Sequence, residues 1–267
     1  MTGREIRVDS LPRKIISLAP SLTEVVYALR AQELLAGVTT LCDYPPEAVT
    51  KPKVGGIVNP SLEAIVSLKP DLVLATTEGN RARTVKQLSG LGIPTYVVSP
   101  KNFSGVLESI ARIGGLIGRA EAARRLVGEL KERAERVMEA LRGRPKPRVL
   151  YLVWAEPVIA PGRNTLVTDL IRMAGGASLS GEAPIEWPRL SLEEVVAAAP
   201  DLILVATHSA AQGDDALRRW REQGILLPAF ESGRVHAIDG DLVHRPGPRI
   251  VDGLEVLARA IHPGALP

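Results

Sequence analysis

Two acidic side chains occupy matching places in a segment that the chain contains twice. Residues 61–74 read SLEAIVSLKPDLVL and residues 191–204 read SLEEVVAAAPDLIL, so eight of the fourteen positions are identical. Glu63 and Glu193 each follow a serine that can cap a helix, in the first helical turn. A carboxylate is stabilised there by the positive end of the helix dipole. Spacing alone therefore predicts that both glutamates begin helices.

Aromatic side chains make up only 3% of the chain, so each tryptophan and tyrosine carries more information than usual. Trp187 precedes a proline in a loop just before the second copy of the repeat, and its flat indole offers a large contact area. Trp154 follows a buried strand, at the end where ligands gather in α/β sheets. Tyr44 precedes two prolines in a loop. The alternative for all three is packing within the fold.

Polar candidates stand near the first helix and before the last one. Asp241 and Arg245 lie in a loop four residues apart, where a local ion pair would contribute little stability. Ser21 stands at the first strand–helix junction, where it is predicted to be an N-cap. The position also allows Ser21 to contact a ligand, and the two roles are compatible.

Four histidines all lie in the second half of the chain, and we interpret them as scattered surface residues: His208, His236, His244 and His262. A metal carrier needs three or four convergent ligands, and the first half offers no histidine. The chain lacks the glycine-rich nucleotide motifs, the G-x-S-x-G elbow and the H-E-x-x-H zinc motif. We therefore expect no catalytic residue, no bound metal and no resident cofactor. A chelatase-like enzyme and a transition-metal carrier are the weaker alternatives.

The elements that must position these residues alternate between strands and helices. Apolar, β-prone runs predict strands at residues 15–19, 35–38, 72–75, 95–98, 149–153 and 235–238. Helical patterns follow at about residues 83–91, 166–173 and 250–260, with residues 240–249 as a loop before the last of them. Alternation of this kind indicates βαβ units and parallel sheets, and the repeat indicates two similar lobes. Clefts between lobes commonly bind small ligands.

A long amphipathic helix is predicted between the two halves. Residues 120–142 show one apolar stripe, and Glu129 with Arg133 forms an i,i+4 pair on its exposed side. We predict an N-terminal α/β lobe at residues 1–118, a connecting helix at residues 119–143 and a C-terminal α/β lobe at residues 144–267.

Composition is that of an ordinary globular chain. Among 267 residues, 45% are hydrophobic and 24% charged, and the net charge of +3 argues against a nucleic-acid partner. The single Cys42 excludes an internal disulfide. No apolar run reaches the roughly 18 residues that a membrane span needs, and the first residues lack the apolar core of a signal peptide.

Several motifs occur in order and together resemble a known family. They are ISLAPSLTE at residues 16–24, DYPP at residues 43–46, the two repeats, Trp187-Pro188, and RPGPR at residues 245–249. The chain is similar to substrate-binding proteins of ABC importers for cobalamin, siderophores and haem, and most similar to the cobalamin-binding members. The resemblance runs from about Arg13 to about Ala260. It implies two Rossmann-like lobes with parallel sheets joined by a single long helix.

The resemblance also implies a ligand and its contacts. Cobalamin or a related corrinoid comes first, while haem and ferric siderophores are the alternatives. The positions that match ligand contacts are Ser21, Trp187, Asp241 and Arg245, and we add Tyr44 and Trp154 as candidates. Leu41, Ile57 and Thr76 stand where cobalamin-binding members carry aromatics, so the flat walls of the first lobe are missing.

Finally, the resemblance implies a partner and a location. Glu63 and Glu193 match glutamates that pair with arginines of an ABC transporter permease dimer. Family members are exported to the periplasm or anchored to the outer side of the membrane. Residues 2–8 resemble the start of a mature family sequence, so we expect a processed or trimmed N-terminus. We also expect a monomer.

Overall fold

The computed structural model describes residues 10–206 and 210–266; for residues 210–212 it describes the backbone only. Two compact units divide the chain. The first holds the described residues up to Pro100 together with Ser104–Leu130, and the second holds Lys101–Phe103 and the described residues from Lys131 onward. Each unit contains one four-stranded parallel sheet, which confirms the expected α/β class.

The elements from β1 to α5, the helix in which the first unit ends and the second begins, follow the predicted alternation of strands and helices. In chain order they are β1 (Ile15–Ser17), α1 (Pro20–Ala28), β2 (Leu35–Val38), α2 (Leu62–Ser67), β3 (Leu72–Thr76), α3 (Ala82–Gly90), β4 (Thr95–Val98), α4 (Phe103–Leu116) and α5 (Ala120–Ala140). The strands pair in the order β2-β1-β3-β4, all parallel. All five residues of β3 are buried, as expected for a central strand covered on both faces.

The second unit also alternates strands and helices, and it adds a small antiparallel sheet. Its elements are β5 (Arg148–Leu152), β6 (Trp154–Ala155), β7 (Val158–Ile159), α6 (Leu166–Met173), β8 (Ala177–Ser178), β9 (Arg189–Leu190), α7 (Leu192–Ala198), β10 (Leu202–Ala206), α8 (Ala210–Glu222), α9 (Pro228–Glu231), β11 (Val235–Ile238), α10 (Gly240–His244) and α11 (Ile250–Ile261). The parallel sheet has the order β11-β10-β5-β8, and β6, β7 and β9 form the antiparallel one.

The aspartate of each repeat fastens the start of one strand in its own unit. Asp71 Oδ2 accepts hydrogen bonds from the amides of Arg13 and Lys14 at 2.8 and 2.9 Å. Asp201 Oδ2 accepts from the amide of Arg148 at 2.7 Å. The amides of Asp71 and Asp201 return a bond to the carbonyls of Lys14 and Arg148, at 2.9 Å each. The shared Pro-Asp-Leu turn is therefore a clamp between two parallel strands.

The helix α4 was absent from the sequence-based prediction. Its buried residues recur every three or four positions, at Val106, Ile110 and Ile113, which is the pattern of a helix packed along one face. Gly114 lies so close to α5 that a Cβ there would stand 2.3 Å from the Cβ of Ala123. The two helices can approach this closely only because Gly114 has no side chain.

Three local predictions are wrong. Helix α1 begins at Pro20, and its N-cap position is Ala19, so Ser21 lies inside the first turn and is not the cap. Proline is favoured at the first helical position because its missing amide hydrogen would be unpaired there. The predicted loop at residues 240–249 contains the short helix α10, which the side chain of Asp239 caps.

The third error concerns Arg133, which does not pair with Glu129 along its own helix. Arg133 reaches α11 instead, where Nη2 lies 2.7 Å from Oδ1 of Asp252 and 2.9 Å from Oε1 of Glu255. These carboxylates offset the cost of partial burial, so the pKa of Arg133 is raised. Among the described residues, no helix is both long and apolar enough to cross a bilayer.

Candidate functional site

The two repeated glutamates lie at the second position of α2 and of α7. Ser61 Oγ accepts the amide of Ala64 at 3.1 Å, and Ser191 Oγ accepts the amide of Glu194 at 3.1 Å. The predicted helix starts are thereby confirmed, including the capping box of Ser191 with Glu194. Glu63 and Glu193 take no part in these caps and are exposed to solvent, one in each unit. Their carboxylates are accessible to a cationic partner.

Trp187 lies on a segment whose main chain is firmly held. Residues 160–163 donate three amide hydrogen bonds, of 2.8–3.2 Å, to carbonyls of residues 183–188. Gly162 permits this approach, because a Cβ there would stand 2.0 Å from the carbonyl oxygen of Ile185. Trp187 itself is 46% exposed. A large flat side chain is thus presented to solvent on a rigid support.

Two polar contacts join the stretch at residues 101–103 to the second unit, and one of them reaches the Trp187 segment. Lys101 Nζ lies 3.0 Å from Oε1 of Glu186, the neighbour of Trp187. The amide of Phe103 donates to Oδ2 of Asp169 at 2.8 Å. The short stretch at residues 101–103 therefore belongs with the second unit. Sequence reasoning missed Lys101 and Gly162, because both roles depend on contacts far apart in the chain.

Trp154 lies in β6 of the antiparallel sheet, and the chain enters strand β9 of the same sheet shortly after Trp187. Trp154 pairs with Ile159 across β6 and β7, and Ile159 pairs with Arg189 of β9. The indole nitrogen of Trp154 donates to the carbonyl of Glu156 at 2.9 Å, and its ring is exposed. The structure therefore places Trp154 on the small sheet and Trp187 two residues before its strand β9.

Asp241 and Arg245 form an ion pair across one turn at the end of α10, 2.7 Å apart. Arg245 is largely buried, with 15% of its side chain exposed, whereas the Asp241 side chain is 47% exposed. The local ion pair named as the alternative is therefore present. A ligand contact by either residue stays a prediction.

His244 and Tyr151 form a polar pair inside the second unit. The hydroxyl of Tyr151 lies 3.1 Å from Nε2 of His244, and the rings meet edge to face. Burial, with a smaller effect of Asp239, raises the pKa of Tyr151, so the phenol stays neutral. A tyrosine within an apolar strand usually needs a buried hydrogen-bond partner, and that signal could have revealed His244.

The histidines are therefore not all surface residues, as the sequence led us to expect. His244 is half-buried and His262 is buried at 8% exposure, while His236 is exposed and His208 lies outside the described residues. Nε2 of His262 lies 3.2 Å from the carbonyl oxygen of Gly175. Burial lowers the pKa of His262, which favours the neutral ring.

Ser21 and Tyr44 lie in the first unit, next to a buried hydroxyl–thiol network. Thr23 Oγ1 donates to Ser17 Oγ at 2.8 Å and lies 3.2 Å from Cys42 Sγ. This network attaches the loop after β2 to α1. Tyr44 is exposed on that loop, whereas Ser21 is buried at 3% exposure. Their proposed ligand contacts stay predictions.

Asn80 joins three loops at the carboxyl ends of β1 and β3. Its Nδ2 donates to the carbonyls of Leu18 and Ile57 at 2.9 and 2.7 Å, and its Oδ1 accepts the amide of Thr76 at 2.8 Å. Leu41 is exposed, Ile57 is half-buried and Thr76 is buried. No short-range sequence pattern predicts this junction, because it depends on the packing of three separate loops.

The arrangement offers flat aromatic surface and a few fixed polar groups. Within residues 10–206 and 210–266, no three or more His, Cys, Asp or Glu side chains are grouped to hold a metal ion. Exposed aromatics beside ordered polar groups favour non-covalent binding of an organic ligand.

A family model described as "Periplasmic binding protein" matches residues 15–242, most of the chain. The chain belongs to the periplasmic binding protein family. This family consists of substrate-binding proteins for transport, whose members bind small ligands and work with permeases.

Similar proteins carry more specific descriptions. An uncharacterized ABC transporter substrate-binding lipoprotein of Bacillus subtilis (strain 168), YvrC, is 32% identical over 98% of this chain and 84% of its own. The structure of the periplasmic vitamin B12 binding protein BtuF of Vibrio cholerae has a TM-score of 0.84 and 26% identity, covering 94% of this chain and 97% of its own. The apo form of the periplasmic heme-binding protein RhuT from Roseiflexus sp. RS-1 has a TM-score of 0.83 and 28% identity, covering 95% and 99%.

Proposed function

We propose that this periplasmic binding protein is the extracytoplasmic substrate-binding component of an ABC importer, and that it captures cobalamin or a related corrinoid. The observation that carries the ligand class is Trp187, an exposed indole held on a rigid main chain. A corrinoid is a broad macrocycle, and a preorganised flat side chain binds such a surface with little loss of conformational entropy. The resemblance to vitamin B12-binding proteins supports the same ligand.

The remaining candidate contacts lie in both units. In the second unit, Trp154 adds a second aromatic face, while Asp241 and Arg245 supply opposite charges for the polar substituents of the ligand. In the first unit, Ser21 and Tyr44 are the proposed contacts. No catalytic step, resident metal or cofactor is part of this proposal, because the macrocycle with its metal is cargo.

Delivery requires a membrane partner. We assign permease docking to Glu63 and Glu193, since each unit presents an exposed carboxylate at this same position of the repeated motif. Two equivalent groups suit a permease built from two equivalent subunits, and the binding protein acts as a monomer. Similarity to a substrate-binding lipoprotein supports a place in the periplasm or at the outer side of the membrane.

Haem is the second candidate ligand, because a heme-binding protein is as similar in structure as the vitamin B12-binding one. Haem iron requires an axial ligand from the protein, and tyrosine is one of the side chains that can supply it. Tyr44 is exposed, and we propose its phenol for this role. Replacement of Tyr44 by phenylalanine should then change the visible spectrum of the haem complex.

The deciding experiment is a calorimetric titration of the purified protein with cyanocobalamin, haemin and a panel of ferric siderophores. We expect saturable binding of cyanocobalamin at one molecule per chain. Saturable binding of haemin alone, with a spectrum altered by Tyr44→Phe, would establish the second candidate. Binding of a siderophore alone, or of none of the three, would refute both.

A further inference from the structure

The structure explains why most of the identical positions of the two repeats are the same. Both serines cap helices, and both aspartates clamp a strand, as described above. The identical leucines and prolines are buried or half-buried: Leu62, Pro70, Leu72 and Leu74, with their counterparts 130 residues later. Glu63 and Val66 remain, together with Glu193 and Val196. These two pairs are exposed, so packing does not require them to be the same.

The exposed valines are unusual for their positions. Val66 is 43% exposed and Val196 is 41% exposed, whereas the residues just before them, Ile65 and Val195, are fully buried. A β-branched side chain loses rotamer freedom in a helix, so valine lowers helix stability wherever packing does not compensate. The same unfavourable residue at the same exposed place in both units indicates a role outside the fold.

Each valine lies three residues after its glutamate, so the two side chains are neighbours on one helix face. The neighbouring positions differ between the copies. Half-buried Ala64 corresponds to exposed Glu194, and exposed Ser67 corresponds to exposed Ala197. The repeat has therefore kept a carboxylate and an adjacent apolar side chain, and little else, on its solvent face.

We propose that the glutamate and the valine of each copy together form a docking surface for one permease subunit. This inference rests on the proposed function, which assigns only the glutamates to docking. The partner is a pair of equivalent subunits, each presenting a basic side chain beside an apolar one. The carboxylate selects the basic side chain, the valine selects the apolar one, and one surface per unit suits a two-fold symmetric partner.

The two parts of the surface contribute in different ways. An exposed carboxylate accelerates encounter and fixes register, and salt screens its effect. The apolar contact strengthens the bound state by removing hydrocarbon surface from water, which depends little on moderate salt. Salt dependence of binding therefore separates the contribution of the glutamates from that of the valines.

The test measures binding of cyanocobalamin-loaded protein to the permease complex of its importer, held in lipid nanodiscs, by surface plasmon resonance. The variant Val66→Thr with Val196→Thr keeps the β-branched shape and replaces one methyl by a hydroxyl at each site. We expect roughly tenfold weaker binding at every salt concentration, from apolar surface lost at two sites. Ligand affinity measured in solution should be unchanged.

Two further double variants complete the test. Leu91→Thr with Leu226→Thr changes one exposed apolar side chain in each unit, outside the repeats, and should bind like the parent. Glu63→Gln with Glu193→Gln should weaken binding at low salt and remove most of its salt dependence. Parent-like binding by the valine variant would refute the valine contact while leaving the proposed function standing. Failure of the ligand-loaded parent itself to bind the permease would refute both.

Discussion

At the scale of single residues, Trp187 is the side chain whose removal should weaken ligand binding most. Trp187→Ala removes an indole held on a pinned main chain, so binding should weaken about 10- to 100-fold, or roughly 1–3 kcal/mol. Titration with the ligand identified for the parent measures the effect. Ile185→Ala, on the same segment, serves as the control and should change affinity little. Equal affinities of parent and Trp187→Ala would show that the site lies elsewhere.

His262 gives a prediction for pH. Because burial lowers its pKa, the folded state binds fewer protons than the unfolded state as the pH falls. The stability that the neutral ring contributes is complete above the ordinary histidine pKa of about 6.5, and it is lost as the pH falls through the lowered value. His262→Gln should therefore reduce the loss of unfolding free energy between pH 8 and pH 5, measured by urea denaturation.

The control for this prediction is His236→Gln, since His236 is exposed on β11. That variant should keep the parent's pH dependence. An unchanged pH profile for His262→Gln would mean that other groups govern stability in this range.

The sequence reveals residue roles only when the partner is near in the chain. Ser61 and Ser191 were identified as caps because the amide that each one accepts lies three residues ahead. His244 and His262 were misread because their partners, Tyr151 and Gly175, lie 93 and 87 residues away. Burial of this kind follows from the tertiary fold and leaves no short-range pattern.

At the scale of elements, the contact between α4 and α5 can be tested with adjacent glycines. Gly114→Ala would place a methyl 2.3 Å from the Cβ of Ala123 and should lower the unfolding free energy by about 1–3 kcal/mol. Gly115→Ala meets nothing within 4 Å and should raise stability by up to about 1 kcal/mol, because alanine favours helix. Chemical denaturation of both variants measures the difference. Equal effects of the two substitutions would show that the helices separate freely.

Elements with long, regular patterns were predicted well, and short ones were not. Helix α5 begins at the predicted Ala120 and β4 spans the predicted Thr95–Val98. The strands β6 and β7 have two residues each, too few for an alternating pattern, and α10 has only five. The missed helix α4 did carry an apolar stripe, but its glycines weaken the helical signal.

At the scale of the whole molecule, the two repeats lead to a prediction about ligand uptake by cells. Glu63→Lys with Glu193→Lys replaces both carboxylates that we propose for docking by the opposite charge, so uptake of labelled ligand by cells should be abolished. Ligand affinity in solution should stay the same. Each change removes a helix-dipole contribution of roughly 0.3–1 kcal/mol, so the fold should persist.

A matched variant controls for the change in net charge. Glu129→Lys with Glu222→Lys alters one exposed acidic residue in each unit by the same amount, away from both repeats. That variant should import ligand at the parent's rate. Normal uptake by the docking variant would return Glu63 and Glu193 to the role of helix-start residues.

The fold and family of the whole molecule were predictable because the repeat and the ordered motifs extend along most of the chain. The ligand was not predictable to the same degree. It depends on side chains such as Tyr44 and Trp187, which lie in loops and outside any regular sequence pattern. The rigidity of the Trp187 segment follows from Gly162, whose importance appears only once the carbonyl of Ile185 is placed against it.

The hydrogen bonds of Asp201 in the Pro-Asp-Leu clamp affect how stability depends on pH in acid. The amide of Arg148 lowers the pKa of Asp201, and its guanidinium contributes further. A lowered pKa means that the clamp's contribution is complete above the ordinary value of about 3.9 and is lost only as the pH falls through the lowered one. His262 begins to lose its contribution at a higher pH, because its ordinary pKa is higher. Mild acidification therefore weakens the packing of His262 at the end of α11 first, while the hydrogen bonds of Asp201 at the start of β5 persist.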